Sequence, residues 1–266
     1  MNFINSKELL DLCHQKSWMI SEVMMERESQ HFQCTREEMK KRMAHIYDTM
    51  KHAAERALKE NLVSVDGHAM GESKQLFIRA AQHSVCGGMM SKAISYAVGI
   101  LEVNRAMGLT VATPTNGSSG VIAGVLLSMQ EHFELSDEKM IQALFHAGAI
   151  GYLITRSGIA LDGEETCKLE IGVASAMAAS AVCELMGAAP ETSLQAATIA
   201  LTNYLGTIGD LEMDEVKIPC SKSNAIGVSK ALVSAEMALC GIGYALSFDQ
   251  ALEKLHFAVS NRRMEV

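Results

Sequence analysis

The amino-acid sequence predicts an all-α protein that folds as one helical domain. Apolar residues recur at the 3.6-residue spacing of a helix, for example at Met39, Met43 and Met50. Only three prolines occur in 266 residues, so long helices are rarely interrupted. Residues 109–113 form a short β-prone run that is equally well explained as extended chain. We therefore expect packed helices, with roughly the first 60 residues as a candidate peripheral lobe.

The ends of several helices are marked by capping residues. Thr35 and Glu38 form a capping box in front of a long amphipathic stretch. Ser136 is a favourable N-cap, and Pro190 suits the first turn of a helix. The predicted helical segments cover residues 5–29, 35–61, 74–83, 88–107, 118–132, 136–155, 169–187, 190–205, 224–244 and 248–260, with longer loops at 62–73, 108–117, 156–168 and 206–222.

Composition argues against several classes of function. The net charge is −8, and no Lys/Arg cluster is interleaved with aromatic residues, so we expect no nucleic-acid partner. The uncharged stretch 171–183 is too short to cross a bilayer, so we expect no membrane contact. Seven cysteines at irregular spacing do not resemble a disulfide framework, which favours the cytoplasm. We find no sequence signature of a nucleotide cofactor or pyridoxal phosphate.

A polar turn that opens an apolar helix is the best candidate for substrate binding. Residues 113–122 read TPTNGSSGVI. A helix N-terminus presents unpaired backbone N–H groups and the positive end of the helix dipole, which together suit a carboxylate. The alternative is a capped turn without a ligand. The candidate substrate-binding residues in this segment are Thr115, Asn116, Gly117, Ser118 and Ser119.

Two residues near a glycine-containing loop are candidate catalytic groups. His68 lies within loop 62–73 and could act as a general base. Lys74 follows the loop and could bind an anion or accept a proton. The competing explanation for both is a solvated surface position.

Two cysteines each lie between a turn and a helix of small residues. Cys167 lies in EETCKLEIG and Cys220 in VKIPCSKSNA. Glu170 follows the first cysteine closely and could orient a neighbouring group. A cysteine in an Ala/Gly-rich interior is usually a small buried hydrophobe. That is the expectation for Cys13, Cys34, Cys183 and Cys240, whereas Cys86, which two glycines follow, is intermediate between the two interpretations.

The chain resembles the alpha, or catalytic, chain of the iron–sulfur-dependent L-serine dehydratases. The resemblance covers roughly residues 60–260 and rests on several segments in the same order as in that family. These segments are residues 102–104, 113–120, 147–151, 167–177, 203–206, 218–220 and 224–225.

The resemblance implies a lyase that converts L-serine to pyruvate and ammonia. In that family three cysteines hold a [4Fe–4S] cluster whose open iron acts as a Lewis acid. Cys167 and Cys220 match two of these metal ligands, and Asn224 falls in the implied substrate site. Gly209 stands at the third cysteine position. A carboxylate from Asp210 or Glu212, or a ligand from a partner chain, could replace it.

The resemblance also implies partners beyond a small amino-acid substrate. Two-chain members pair the alpha chain with a beta chain, and nothing in this sequence resembles that chain. We therefore expect a beta subunit, a homo-oligomer, or both. Two other functions remain open at this point. One is a relative without the cluster, as a non-catalytic subunit or small-molecule-binding protein. The other is a desulfidase-type elimination on another amino acid such as cysteine.

Overall fold

The computed structural model describes residues 1–159, 167–208 and 220–264. In these ranges the chain forms eleven α-helices and no β-strand, which confirms the all-α prediction. An isolated bridge pairs Val63 with Ala69. The helices are α1 Ser6–Lys16, α2 Ile20–His31, α3 Arg36–Lys59, α4 Glu72–Ala80, α5 Gly87–Arg105, α6 Ser119–Phe133, α7 Asp137–Arg156, α8 Cys167–Leu185, α9 Pro190–Ile208, α10 Cys220–Leu239 and α11 Phe248–Met264.

The predicted capping residues begin the helices that they were expected to begin. The Thr35 hydroxyl accepts from the Glu38 backbone N–H at 3.2 Å, and Glu38 Oε2 accepts from the Thr35 N–H at 2.8 Å. The Ser136 hydroxyl accepts from the Lys139 N–H at the start of α7. Pro190 is the first residue of α9. Local sequence therefore sets these three starts.

Some boundaries differ from the sequence prediction. The segment 5–29 is divided into two helices, because Ser17 adopts a left-handed conformation with φ of 53°. Helix α10 begins at Cys220 rather than at residue 224 and ends at Leu239 rather than at 244. Gly241, with φ of 75°, ends it early. Cys240 is therefore exposed, and its expected burial was wrong.

The central helix of the bundle is α8, which packs against α6, α7, α9 and α10. Residues 171–183 of this helix are all buried. Its small side chains allow close approach, since a Cβ on Gly172 would lie 2.6 Å from Cγ of Tyr204 in α9. The small-residue composition of α8 thus reflects packing on every side. No helix in the described part of the chain is long and apolar enough to cross a membrane.

The N-terminal helices contribute to the same buried core. α2 packs against α7, and α3 packs against α5. Phe3 and Tyr47 are 0% and 1% exposed and belong to one continuous hydrophobic cluster with residues of α6, α7 and α8.

Candidate active site

The first turns of three helices meet at one place in the fold. A single 3-10 turn at Asn116–Ser118 leads directly into α6. The helices α8 and α10, which begin at Cys167 and Cys220, both pack against this 3-10 turn. A helix N-terminus carries a partial positive charge, so this arrangement favours an anion. We call residues 115–119 the substrate turn.

Two buried serine hydroxyls stabilise the substrate turn from within. Ser118 Oγ lies 3.0 Å from Thr115 Oγ1 and accepts from the Thr115 backbone N–H at 3.3 Å. Ser119 Oγ donates to the carbonyl of Asn116 at 2.8 Å. Both serine side chains are buried, at 0% and 1% exposed, whereas Asn116 is exposed. Asn116 and the backbone N–H groups of the turn are therefore the groups placed to meet a ligand.

Glu170 of α8 contacts the substrate turn directly. Its Oε2 accepts a hydrogen bond of 2.6 Å from the Thr115 hydroxyl. Glu170 is only 8% exposed, although it carries a carboxyl group. Because Thr115 donates its single hydroxyl proton to Glu170, its oxygen is left as an acceptor toward Ser118.

Asn224 of α10 contacts the same turn from the other side. Its Oδ1 accepts from the Gly120 backbone N–H at 3.0 Å, and its Nδ2 donates to the Gly117 carbonyl at 2.7 Å. The same Nδ2 lies 2.8 Å from the carbonyl of Cys220. Asn224 is 0% exposed, so its amide acts on protein backbone rather than at an open surface.

The C-terminal end of α5 joins the substrate turn to loop 62–73. Asn104 donates to the Asn116 carbonyl at 3.3 Å. Glu102, two residues earlier, accepts from the backbone N–H groups of Gly71 and Glu72 at 3.0 and 2.7 Å. Glu102 is 4% exposed and so caps α4 from another helix.

Sequence reasoning gave Glu102 and Asn104 no separate role in the site. The available signal was a single charged residue inside the apolar run SYAVGILEV of α5. A charge in such a run is usually paired or hydrogen-bonded when buried.

The two candidate catalytic groups, His68 and Lys74, lie in loop 62–73 and in α4, which packs against α5. His68 is exposed, and its backbone N–H donates to Ser64 Oγ at 3.1 Å. Lys74 is half-buried in α4, and its Nζ donates to Asn61 Oδ1 at 3.1 Å. Among the described residues, no hydrogen bond or ion pair joins either side chain to the substrate turn.

The two candidate metal ligands are the first residues of two helices that pack against each other. This arrangement agrees with a shared metal site for two of its three expected ligands. Cys220 is half-buried and packs against the core, and α8 starts at Cys167. Gly209 lies outside the described residues, as do Asp210 and Glu212. In the described ranges no three His, Cys, Asp or Glu side chains are grouped to hold a metal ion.

Comparison with known proteins shows similarity along nearly the whole chain. The model of the family "Serine dehydratase alpha chain" matches residues 15–259. The chain is 37% identical over 256 residues to a Bacillus subtilis protein named "Probable L-serine dehydratase, alpha chain", covering 96% of this chain and 85% of that relative. It is 32% identical over 248 residues to the "L-serine dehydratase, alpha chain" of Peptoniphilus asaccharolyticus, covering 93% and 85%.

A third relative is longer than this chain. "L-serine dehydratase 1" of Escherichia coli is 29% identical over 263 residues, which are 96% of this chain but 57% of that relative. The family match and the two alpha-chain relatives extend over most of the sequence, including all three helix starts at the site. The chain therefore belongs to the serine dehydratase alpha chain family.

Proposed function

We propose that this chain is the alpha subunit of an L-serine dehydratase and converts L-serine to pyruvate and ammonia. The observation that carries the proposal is the position of the substrate turn between the first turns of α8 and α10, the helices that begin at Cys167 and Cys220. An anion-binding turn beside two candidate thiolate ligands suits an amino acid that must be held and activated in one site. The names of the alpha-chain relatives support the same substrate.

The substrate turn binds the carboxylate of serine in this proposal. The exposed Asn116 side chain and the backbone N–H groups of residues 116–118 are its donors, because the Gly120 N–H at the start of α6 is already bonded to Asn224. The buried hydroxyls of Ser118 and Ser119 hold the turn in shape, because they already bond within it.

A [4Fe–4S] cluster is part of the proposal. Cys167 and Cys220 would supply two thiolates, and Gly209 has no side chain that could supply the third. We propose that the remaining ligand is a carboxylate of Asp210 or Glu212, which lie outside the described residues, or comes from a partner chain. When bound, such a cluster supplies a Lewis acid that makes the β-hydroxyl a better leaving group. His68 and Lys74 remain our candidates for the base that takes the α-proton.

A separate beta chain completes the enzyme in this proposal. The two alpha-chain relatives match this chain over 85% of their length, whereas the Escherichia coli relative extends well beyond it. The additional part of the longer relative is the region that a second subunit would replace. We also propose that the assembly works in the reducing cytoplasm, and the cysteine pattern of this chain supports this proposal.

The test is oxygen-free purification, followed by iron and sulfide analysis and a pyruvate assay with and without a candidate beta chain. We expect about four iron and four sulfide per chain and pyruvate formation from L-serine. Cys220→Ser should abolish both, while the matched control Cys240→Ser, at an exposed position outside the site, should change neither. Asn116→Ala should raise KM for L-serine.

Two outcomes would count against the proposal. Protein that holds neither iron nor sulfide and forms no pyruvate with the beta chain would refute the lyase assignment. Sulfide release from L-cysteine without pyruvate formation from L-serine would assign a different substrate.

A further inference from the structure

We infer that Glu170 and Asn224 are positioning residues that set the distance between the substrate turn and the two candidate cluster cysteines. The inference rests on the proposed function. It adds the residues that align the substrate turn with the two candidate cluster cysteines. Each lies about one helical turn after a cysteine: Glu170 is three residues after Cys167, and Asn224 is four residues after Cys220. Both side chains reach the same turn.

The bonds of Asn224 connect two elements that are far apart in sequence. Its amide oxygen accepts from Gly120 and its amide nitrogen donates to Gly117, across 104 and 107 positions. The bond to the Cys220 carbonyl ties the same amide to the first residue of α10. An amide side chain fits this position because it offers one acceptor, for Gly120, and two donors, for the carbonyls of Gly117 and Cys220. An aspartate would instead place a second acceptor against these two carbonyls. A shift of α10 would therefore move the turn with it.

The bond of Glu170 fixes the direction of a chain of hydroxyl groups. Its carboxylate accepts the Thr115 proton, so the Thr115 oxygen can accept from Ser118. This ordering keeps the hydroxyls of Ser118 and Ser119 directed into the turn and leaves the exposed Asn116 side chain for the substrate. Glu170 belongs to α8, so the first turn of α8 and the substrate turn move together.

Local capping alone does not require these two contacts. The substrate turn is already closed by its own bonds, from Ser119 to Asn116 and between Thr115 and Ser118. The two further buried side chains come from the helices that begin with the cysteines. A long-range contact from each of these helices holds the substrate turn at a fixed position relative to the cysteines. Catalysis requires this alignment, because small displacements of a bound substrate lower the rate strongly.

The experiment compares Asn224→Ala, Glu170→Ala and Glu170→Gln with the parent enzyme, each loaded with iron and sulfide and assembled with the beta chain. Ser128→Ala is the matched control, because Ser128 is buried in α6 and, within the part of the chain that the structure describes, its hydroxyl bonds to the Val125 carbonyl of its own helix, at 2.9 Å. The readouts are iron and sulfide per chain, the calorimetric Kd for L-serine, KM, kcat and the melting temperature.

We expect the two alanine variants to keep their iron and sulfide while kcat/KM for L-serine falls roughly 10- to 100-fold. Kd for L-serine should rise together with KM. Glu170→Gln, which retains an acceptor for Thr115, should recover much of the loss, and it carries the test if an alanine variant does not fold. Ser128→Ala should lower the melting temperature without changing KM.

Alanine variants that melt earlier but keep the parent KM, kcat and Kd would overturn the inference, because Glu170 and Asn224 would then only stabilise the fold. Loss of iron from folded alanine variants would also overturn it, since these residues would then act on the metal site itself. A parent enzyme that makes no pyruvate refutes the proposed function instead, and the Kd series still decides the positioning role.

Discussion

Gly120→Ala is expected to destabilise the protein strongly, although alanine is normally the better residue in a helix. Gly120 is the second residue of α6 and lies against α5. A Cβ added there would lie 2.8 Å from Cδ2 of Leu101 and 3.0 Å from the carbonyl carbon of Ala97, with the Ala97 carbonyl oxygen nearer still. The backbone of α5 cannot rotate out of the way as a side chain can, so the two helices must separate.

The size of the effect follows from these contacts. Overpacking of a buried site costs about 1–3 kcal/mol, and a weakened bond between the Gly120 N–H and Asn224 adds about 1 kcal/mol. Higher helix propensity returns at most about 1 kcal/mol. With that return counted in full, the net loss is about 1–3 kcal/mol, equivalent to a fall in Tm of roughly 2–12 °C for a chain of this length.

The chain offers a matched control in Gly148→Ala. Gly148 lies inside α7, and of the atoms that the structure describes, an added Cβ would meet Cε of Met24 alone, at 3.9 Å. The same substitution there should stabilise the protein by about 0.5–1 kcal/mol. Thermal and urea unfolding of the parent and both variants, followed by circular dichroism, measure the contrast. A Gly120→Ala protein as stable as the parent would refute the close packing of α5 and α6.

Three further predictions concern other parts of the fold. Burial alone would raise the pKa of Glu184, but His146 at 2.5 Å outweighs burial and holds that pKa below the usual range of a glutamate. Glu184 therefore stabilises the fold above pH 4.5 and loses this effect as the pH falls further. The difference in free energy of unfolding between the parent and Glu184→Gln, measured by urea titration, should therefore shrink below pH 4.5. Burial raises the pKa of the Cys183 thiol to about 12, so iodoacetamide at pH 8 should label exposed Cys86 but not Cys183, and labelling of Cys183 in the folded protein would contradict its burial. Tyr47→Phe removes a buried hydroxyl bonded to the side chain of Gln130 and should cost about 1 kcal/mol in thermal unfolding, and an unchanged Tm would show that this bond contributes nothing.

Helix starts were predictable where the capping residue is adjacent to the helix that it caps. Thr35 and Ser136 bond to backbone groups within a few residues, and Pro190 acts through its own fixed φ, so the effect of all three can be read from a short window of sequence. The start of α4 was placed two residues late, because its cap is Glu102, about thirty positions along the chain. The end of α10 was placed too late because Gly241 was not recognised as its C-terminal signal.

The sequence by itself determined the helical class, the family resemblance and the segments that form the site. These properties depend on residue spacing and local chemistry, and the motifs around Thr115, Cys167 and Cys220 could be recognised without knowing their neighbours. Only the tertiary structure decided that Glu170 and Asn224 meet the substrate turn, while the hydroxyls of its serines face inward. Those contacts span 55 and 107 positions, and their geometry follows from how α6, α8 and α10 pack, which residue spacing along the chain does not specify.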